Sequence, residues 1–208
     1  MKKLIFISLL SLSIIALMFL SCTEHKPVKT IENLKTAIKG ESNASSKYAL
    51  FAQKASEEGF DTIAKMFDAT SRAESIHAII HTAELSKLGF EFIPVIDSIK
   101  LSSTQDNLRT AIEGETYEFT VMYPDFLKIA KEEGATGADS TFTWAMNTEK
   151  KHEDFYQKAL EAISTSTKEA GLSISWAVCP KCGNTFAEGE IEDVCSFCKS
   201  PKLIFLTF

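Results

Sequence analysis

The chain has 208 residues, of which 45% are hydrophobic and 24% charged, with a formal net charge of −6. That length fits one or two domains, and that composition excludes collagen-like, low-complexity and grossly disordered architectures. An acidic chain with no basic run is unsuited to a nucleic-acid partner, and five cysteines are too few for a disulfide scaffold at this length.

Residues 1–21 read as a secretory signal peptide. Met1-Lys2-Lys3 is a basic start, Leu4 to Leu20 is an apolar run broken only by three serines, and Ser21 is a small residue before the chain turns polar at Thr23. Cys22, directly after it, resembles the lipidated first residue of a mature bacterial lipoprotein, although Phe19 stands where that signal usually has Leu. An uncleaved N-terminal anchor is the alternative. Either reading makes this an exported, membrane-attached protein facing the periplasm or cell surface, with residues 22–30 as a tether.

From Ile31 to about Ser166 the chain is poor in Gly and Pro. Breaks near Gly59, over Gly89–Thr104 and over Gly134–Gly137 predict four long helices, at 31–58, 60–88, 105–133 and 138–166. Short connections force the first and second, and the third and fourth, to run antiparallel, which gives an all-α four-helix bundle over 31–167. The longer second connection suits a crossing from one end of the bundle to the other. Pro124 interrupts the third helix and predicts a local kink.

The placement of acids carries the functional reading. The three-four spacing of a buried helical stripe runs through Ile38, Glu41 and Tyr48 in the first helix and Phe67, Glu74, His77 and His81 in the second. It runs through Leu108, Glu115, Glu118 and Met122 in the third, and Ala145, Glu149, His152 and Tyr156 in the fourth. Each helix thus puts acid on its apolar face. A buried carboxylate without a partner costs several kcal/mol even after relaxation, and clustered carboxylates repel one another. No Lys or Arg shares these stripes, so two divalent metals are the fitting counter-charge. Glu74-x-x-His77 and Glu149-x-x-His152 each set a carboxylate and an imidazole one turn apart, and Glu115-x-x-Glu118 does so with two acids. One such pair is uninformative, but two on separate apolar faces match the ligand pattern of a carboxylate-bridged di-iron bundle. The alternative is a set of solvated acids whose helical phase differs.

Residues 168–171 form a linker to a tail, 173–208, too short for a substantial hydrophobic core. Cys179-x-x-Cys182 and Cys195-x-x-Cys198 supply four thiolates at tetrahedral metal-site spacing, for iron or zinc. Oxidation to disulfides is the alternative, although bonds within C-x-x-C close loops too small to stabilise the tail much. A redox bundle needs an electron supply, which favours iron in the tail.

With these residues in place, the chain from Ile31 to Phe208 resembles the rubrerythrin family, a ferritin-like di-iron bundle joined to a rubredoxin-like domain. The segments that carry the likeness are Gly40-Glu41-Ser42, Ala73-Glu74-Ser75-Ile76-His77, Gly114-Glu115-Thr116-Tyr117-Glu118, Met122-Tyr123-Pro124, Glu149-Lys150-Lys151-His152 and the two cysteine knuckles. The resemblance implies that Glu41, Glu74, His77, Glu115, Glu118, Glu149 and His152 bind two irons, with Tyr48 and Tyr123 hydrogen-bonded behind them. One iron is implied at Cys179, Cys182, Cys195 and Cys198. His81 matches no family ligand and is either a core histidine or a donor behind the ligands.

The activity implied is reduction of hydrogen peroxide to water. Glu118 is the ligand implied to detach for a histidine on reduction, and the tail iron returns electrons from an unidentified donor. In the family that transfer crosses a head-to-tail homodimer. Oxygen-driven iron handling and a zinc-stapled binding module are the other readings. Lys199 departs from the small residue, often Gly, that usually follows the second knuckle.

Overall fold

The computed structural model describes residues 26–165 and 168–208; the signal segment and Cys22 lie outside the described residues. Four helical rods form the expected bundle. They are α1 (Val28–Glu57), α2 (Asp61–Lys87), a third rod made of α3 (Thr104–Tyr117), a π turn (Glu118–Met122) and α4 (Tyr123–Glu132), and α5 (Thr136–Ser164). A small antiparallel sheet follows, in the order β2-β1-β3, from β1 (Trp176–Val178), β2 (Thr185–Ala187) and β3 (Leu206–Thr207).

The acidic stripes do face inward, and they sit between two apolar plugs. One plug holds Tyr48, Phe51, Ile63, Phe67, Leu108 and Tyr156. The other holds Leu34, Ile38, Leu85, Phe126, Leu127 and Phe142. The polar layer is therefore closed off along the bundle axis at both ends. The connection 88–103 does cross the bundle lengthwise. It leaves near the plug of Leu34 and Ile38, is held at mid-helix by Asn43 and Asp97 (Asn43 Nδ2 to Asp97 Oδ2, 2.9 Å), and ends where Glu58 receives it.

Two local features differ from the sequence reading. Instead of a plain kink, the backbone before Pro124 opens into the π turn, and Pro124 falls in the first turn of α4. A proline lacks the amide that would close the preceding turn, and one extra residue per turn accommodates that loss. The tether also ends earlier than residue 30, because α1 begins at Val28. Its cap comes from far along the chain. Glu133, just past α4, accepts hydrogen bonds from the amides of Lys29 (3.1 Å) and Thr30 (2.8 Å) and from the Thr30 hydroxyl (2.7 Å).

The same device recurs. The amide of Ile63 at the start of α2 donates to Glu169 (2.6 Å), and that of Thr104 at the start of α3 donates to Glu58 (2.9 Å). Carboxylates suit these positions because a helix N-terminus carries free amides and partial positive charge.

Partial burial pushes Glu133 upward, but the bonds from Thr30 and Lys29 outweigh it and hold its carboxyl below the ordinary value. A depressed folded-state value stabilises the fold above the unfolded value, about 4.3, and the contribution is lost as pH falls through the folded one. Glu133→Ala is therefore expected to cost about 1 kcal/mol at pH 7, the usual worth of a cap. The gap to wild type should close in denaturant titrations below about pH 4.

Candidate metal centre

Glu41 on α1, Glu74 and His77 on α2, Glu115 on α3, and Glu149 and His152 on α5 converge in the middle layer, all buried. Their donor atoms form two adjoining cages. Glu41, Glu74, His77 and Glu149 lie within 4.8 Å of one another, and so do Glu74, Glu115, Glu149 and His152. Glu74 and Glu149 belong to both. Each presents one oxygen to His77 Nδ1 (both 3.0 Å) and the other to His152 Nδ1 (2.9 and 3.0 Å). Two imidazoles, two shared carboxylates and one further carboxylate on each side make a two-centre arrangement.

Most of these close approaches are not hydrogen bonds. Glu41 Oε2, Glu74 Oε1, both Glu149 oxygens and His152 Nδ1 are buried with no hydrogen-bonding partner. Buried polar atoms are paired in nearly all native structures, so a concentration of orphans in one layer points to partners that are not protein atoms. Hard carboxylate oxygens with imidazole nitrogens suit iron, manganese or zinc.

Electrostatics point the same way. Burial, then Glu149, push Glu41 up to about 8, although His77 pulls it down. Glu115 and Glu118 are driven well above the ordinary range by burial and then by neighbouring carboxylates. Glu74 is held below its range, because the two imidazoles outweigh its burial. His152 rises to about 9 against the effect of burial, chiefly through Glu74. Protons thus hold the cluster together when nothing else does, and divalent cations can take their place.

Tyr48 donates to Glu115 Oε1 (2.5 Å) and Tyr123 donates to Glu41 Oε1, so a phenol anchors one oxygen of each unshared carboxylate. Tyr156, not singled out from the sequence beyond its stripe, donates to Thr70 (2.7 Å) beside them. Glu118 belongs to neither cage. It is half-buried, at the first residue of the π turn, although its carboxyl feels Glu41, Glu149 and Glu74. His81 lies fully buried behind Tyr123, 3.2 Å from its hydroxyl.

The four tail cysteines form a third cage. Cys179 and Cys198 sulfurs are 3.4 Å apart, and those of Cys182 and Cys195 are 3.6 Å apart. A disulfide needs about 2.05 Å. Tetrahedral thiolates at about 2.3 Å from a metal stand about 3.8 Å apart, close to what is seen. The knuckles are built alike: Gly183 N bonds Cys179 O and Lys199 N bonds Cys195 O, both at 3.0 Å. Gly183 and Lys199 both have positive φ, 78° and 61°.

The tail docks on its own bundle, which sequence reasoning missed. His152 Nε2 lies 2.9 Å from Thr185 Oγ1, and Thr185 in turn donates to Gly183 O (3.0 Å). Lys151 Nζ bonds Asn184 Oδ1 (2.7 Å) and Thr185 O (3.0 Å), and Asn184 Nδ2 reaches Cys195 Sγ at 3.6 Å. Gly183 lies so near His77 that a Cβ there would stand 2.3 Å from Nε2. The local cue was Gly183 itself, yet its partner lies on a distant helix.

A family model described as Rubrerythrin matches residues 32–160. Nigerythrin of Nitratidesulfovibrio vulgaris is 36% identical over 181 residues, covering 86% of each chain. Rubrerythrin-1 of Clostridium acetobutylicum is 33% identical over 184 residues, covering 86% of this chain and 94% of that one. Among solved structures, the fully reduced, all-ferrous state of nigerythrin superposes with a TM-score of 0.76 at 36% identity, covering 86% of both chains.

The two knuckle positions differ in what surrounds them, and substitution should expose this. Lys199 is solvent-exposed, so Lys199→Gly relieves a left-handed conformation and is expected to stabilise the tail by about 1 kcal/mol. Gly183→Ala drives a methyl into His77 and is expected to cost about 2 kcal/mol or more. Thermal unfolding with limited proteolysis at the 168–171 linker reads both.

Proposed function

Taking as premise that this chain belongs to the rubrerythrin family of di-iron oxidoreductases, we propose that it reduces hydrogen peroxide to water with electrons passed from the tail to the bundle. The observation that carries this reading is the contact between His152 of the bundle and Thr185 of the four-cysteine unit. A bundle supplied with outside electrons suits repeated reduction of a small oxidant better than oxygen-driven iron handling, in which iron itself is the cargo.

Two irons, when bound, supply a clamp and one electron each for cleavage of the O–O bond. Glu74 and Glu149 would hold both, Glu41 and His77 one, and Glu115 and His152 the other. Tyr48 and Tyr123 keep Glu115 and Glu41 turned so that each leaves an oxygen free. Glu118, outside the cages on a π turn, is the carboxylate best placed to exchange during turnover, since such turns ease local backbone adjustment. The two apolar plugs keep bulk water from the layer, which favours a substrate as small as peroxide. Thr185 donates its proton to Gly183 O, so it accepts from His152 Nε2–H and leaves Nδ1 bare toward the cages.

We place the electron route within one chain, from the thiolates through the 182–185 segment to His152. A homodimer is part of the proposal on the family resemblance, but this route does not need the partner. Export and lipid anchoring at Cys22 are likewise proposed, from the sequence of residues 1–22. The described residues contain no helix long and apolar enough to cross a membrane.

One assay tests both halves. Iron-loaded protein with an external electron donor should consume peroxide, and ferrous protein should oxidise faster with peroxide than with oxygen. Glu41→Ala should be at least about 100-fold slower, as expected when a ligand rather than its support is lost. Cys182→Ala should not turn over with the donor, and mixing it with Glu149→Ala should restore nothing. Recovery in the mixture would mean electrons cross between chains, and equal rates for Glu41→Ala and wild type would end the peroxidase reading.

A further inference from the structure

We infer that His81 is a positioning residue for the bundle metal pair: it donates a hydrogen bond to the Tyr123 hydroxyl and so keeps that phenol directed at Glu41. The inference rests on the reading of Glu41 as a metal ligand. His81 follows His77 by one turn of α2 and is fully buried, but it belongs to neither donor cage. Its Nε2 lies 3.2 Å from Tyr123 Oη and its Nδ1 lies 3.1 Å from Thr141 Oγ1. Aromatic rings surround it. Its centroid is 5.2 Å from that of Phe142 and 6.0 Å from that of Tyr123, and Phe126 packs on Phe142 at 5.4 Å.

Counting protons fixes the direction of this relay of hydrogen bonds. A carboxylate that holds a cation can only accept. Tyr123 has one proton, and Glu41 Oε1 receives it, while Glu41 Oε2 has no hydrogen-bonding partner. The phenol oxygen is then left as an acceptor, so His81 Nε2 must carry a hydrogen. Among the described residues the buried His81 ring is hydrogen-bonded only to two hydroxyls and to no carboxylate, so it stays neutral with a single N–H. Nδ1 is therefore bare and can only accept, and the Thr141 hydroxyl at 3.1 Å, which also lies 3.2 Å from the Ala138 carbonyl, is the donor that faces it. The order is Thr141 to His81 to Tyr123 to Glu41, each donor aimed toward the metal layer.

The surroundings call for an apolar residue. A buried imidazole is costly unless both nitrogens are paired, and both are paired here, one of them to the phenol that grips Glu41. Tyr123, His81 and Phe142 are fully buried, so solvent offers the phenol no substitute donor.

The test is cobalt(II) binding to the full chain after one equivalent of zinc has filled the four thiolates, read from the visible spectrum of cobalt in the bundle. Wild type, His81→Leu, Tyr123→Phe and the double variant form a cycle, and His81→Gln, whose amide can donate to the phenol, is the rescue. Tyr123→Phe is expected to weaken binding about tenfold and His81→Leu about fivefold. The double variant should bind no worse than Tyr123→Phe alone, and His81→Gln should stay within about twofold of wild type. Should His81→Leu fail to fold, His81→Phe replaces it in the cycle.

Losses that multiply in the double variant, wild-type affinity in His81→Leu, or His81→Gln as weak as His81→Leu would each overturn the inference. A wild-type bundle that takes up no cobalt would instead overturn the metal reading beneath it, a result distinct from any difference among variants.

Discussion

Four buried glutamates, Glu41, Glu74, Glu115 and Glu149, with half-buried Glu118 beside them, set the terms for everything else in this protein. Water is excluded from their layer by the aromatic and aliphatic plugs at either end. In that setting like charges repel strongly, and each carboxylate has lost its hydration. Protonating some of them and both imidazoles gives partial relief, which is what the raised values of Glu41 and His152 express. Paired divalent cations give fuller relief and also meet the orphaned oxygens and nitrogens geometrically. The fold and the chemistry therefore share one solution. The phenols of Tyr48 and Tyr123, and His81 behind the latter, turn a tolerable cluster into an oriented one.

What could be read from the sequence was what helical periodicity encodes. Glu74 and His77, or Glu149 and His152, are one turn apart whatever the rest of the chain does, so their shared face was legible. The apolar residues flanking them fixed that face as the inner one. The tail knuckles were legible for a similar reason, since four thiolates at that spacing specify their own geometry. What was not legible depended on contacts between distant segments. Glu133 capping α1 and Glu169 capping α2 are ordinary surface acids until the helices are placed. The π turn at Glu118–Met122 resolves a conflict between Pro124 and helix continuity that could equally have ended in a kink. The place of Glu118 outside the cages follows from that turn, not from its spacing to Glu115. His81 looked like the next residue of a stripe, and only the positions of Tyr123 and Thr141 reveal its bonds.

The docked tail joins two units that the sequence presents as separate. Its staple is sulfur chemistry, while its seat is built from Trp176 and Val178 packed into the bundle core, with Lys151 stacked on Phe186 at 4.4 Å. The seat explains an asymmetry between the two knuckles. Both need left-handed backbone at the residue after the second cysteine, yet only one must lack a side chain. At Gly183 the His77 ring fills the space, whereas Lys199 faces solvent and bonds Ser196 O at 3.1 Å. Glycine at 183 is thus a demand of the bundle as much as of the tail.

The central claim is that two metal ions neutralise the inward acids. The most direct measurement is the iron content of the full chain with all four tail cysteines changed to alanine, loaded with ferrous iron without oxygen and freed of unbound metal. The account expects two irons per chain, falling sharply on Glu74→Ala, because Glu74 faces both cages. A bundle that retains no iron, or a content indifferent to Glu74, would contradict it.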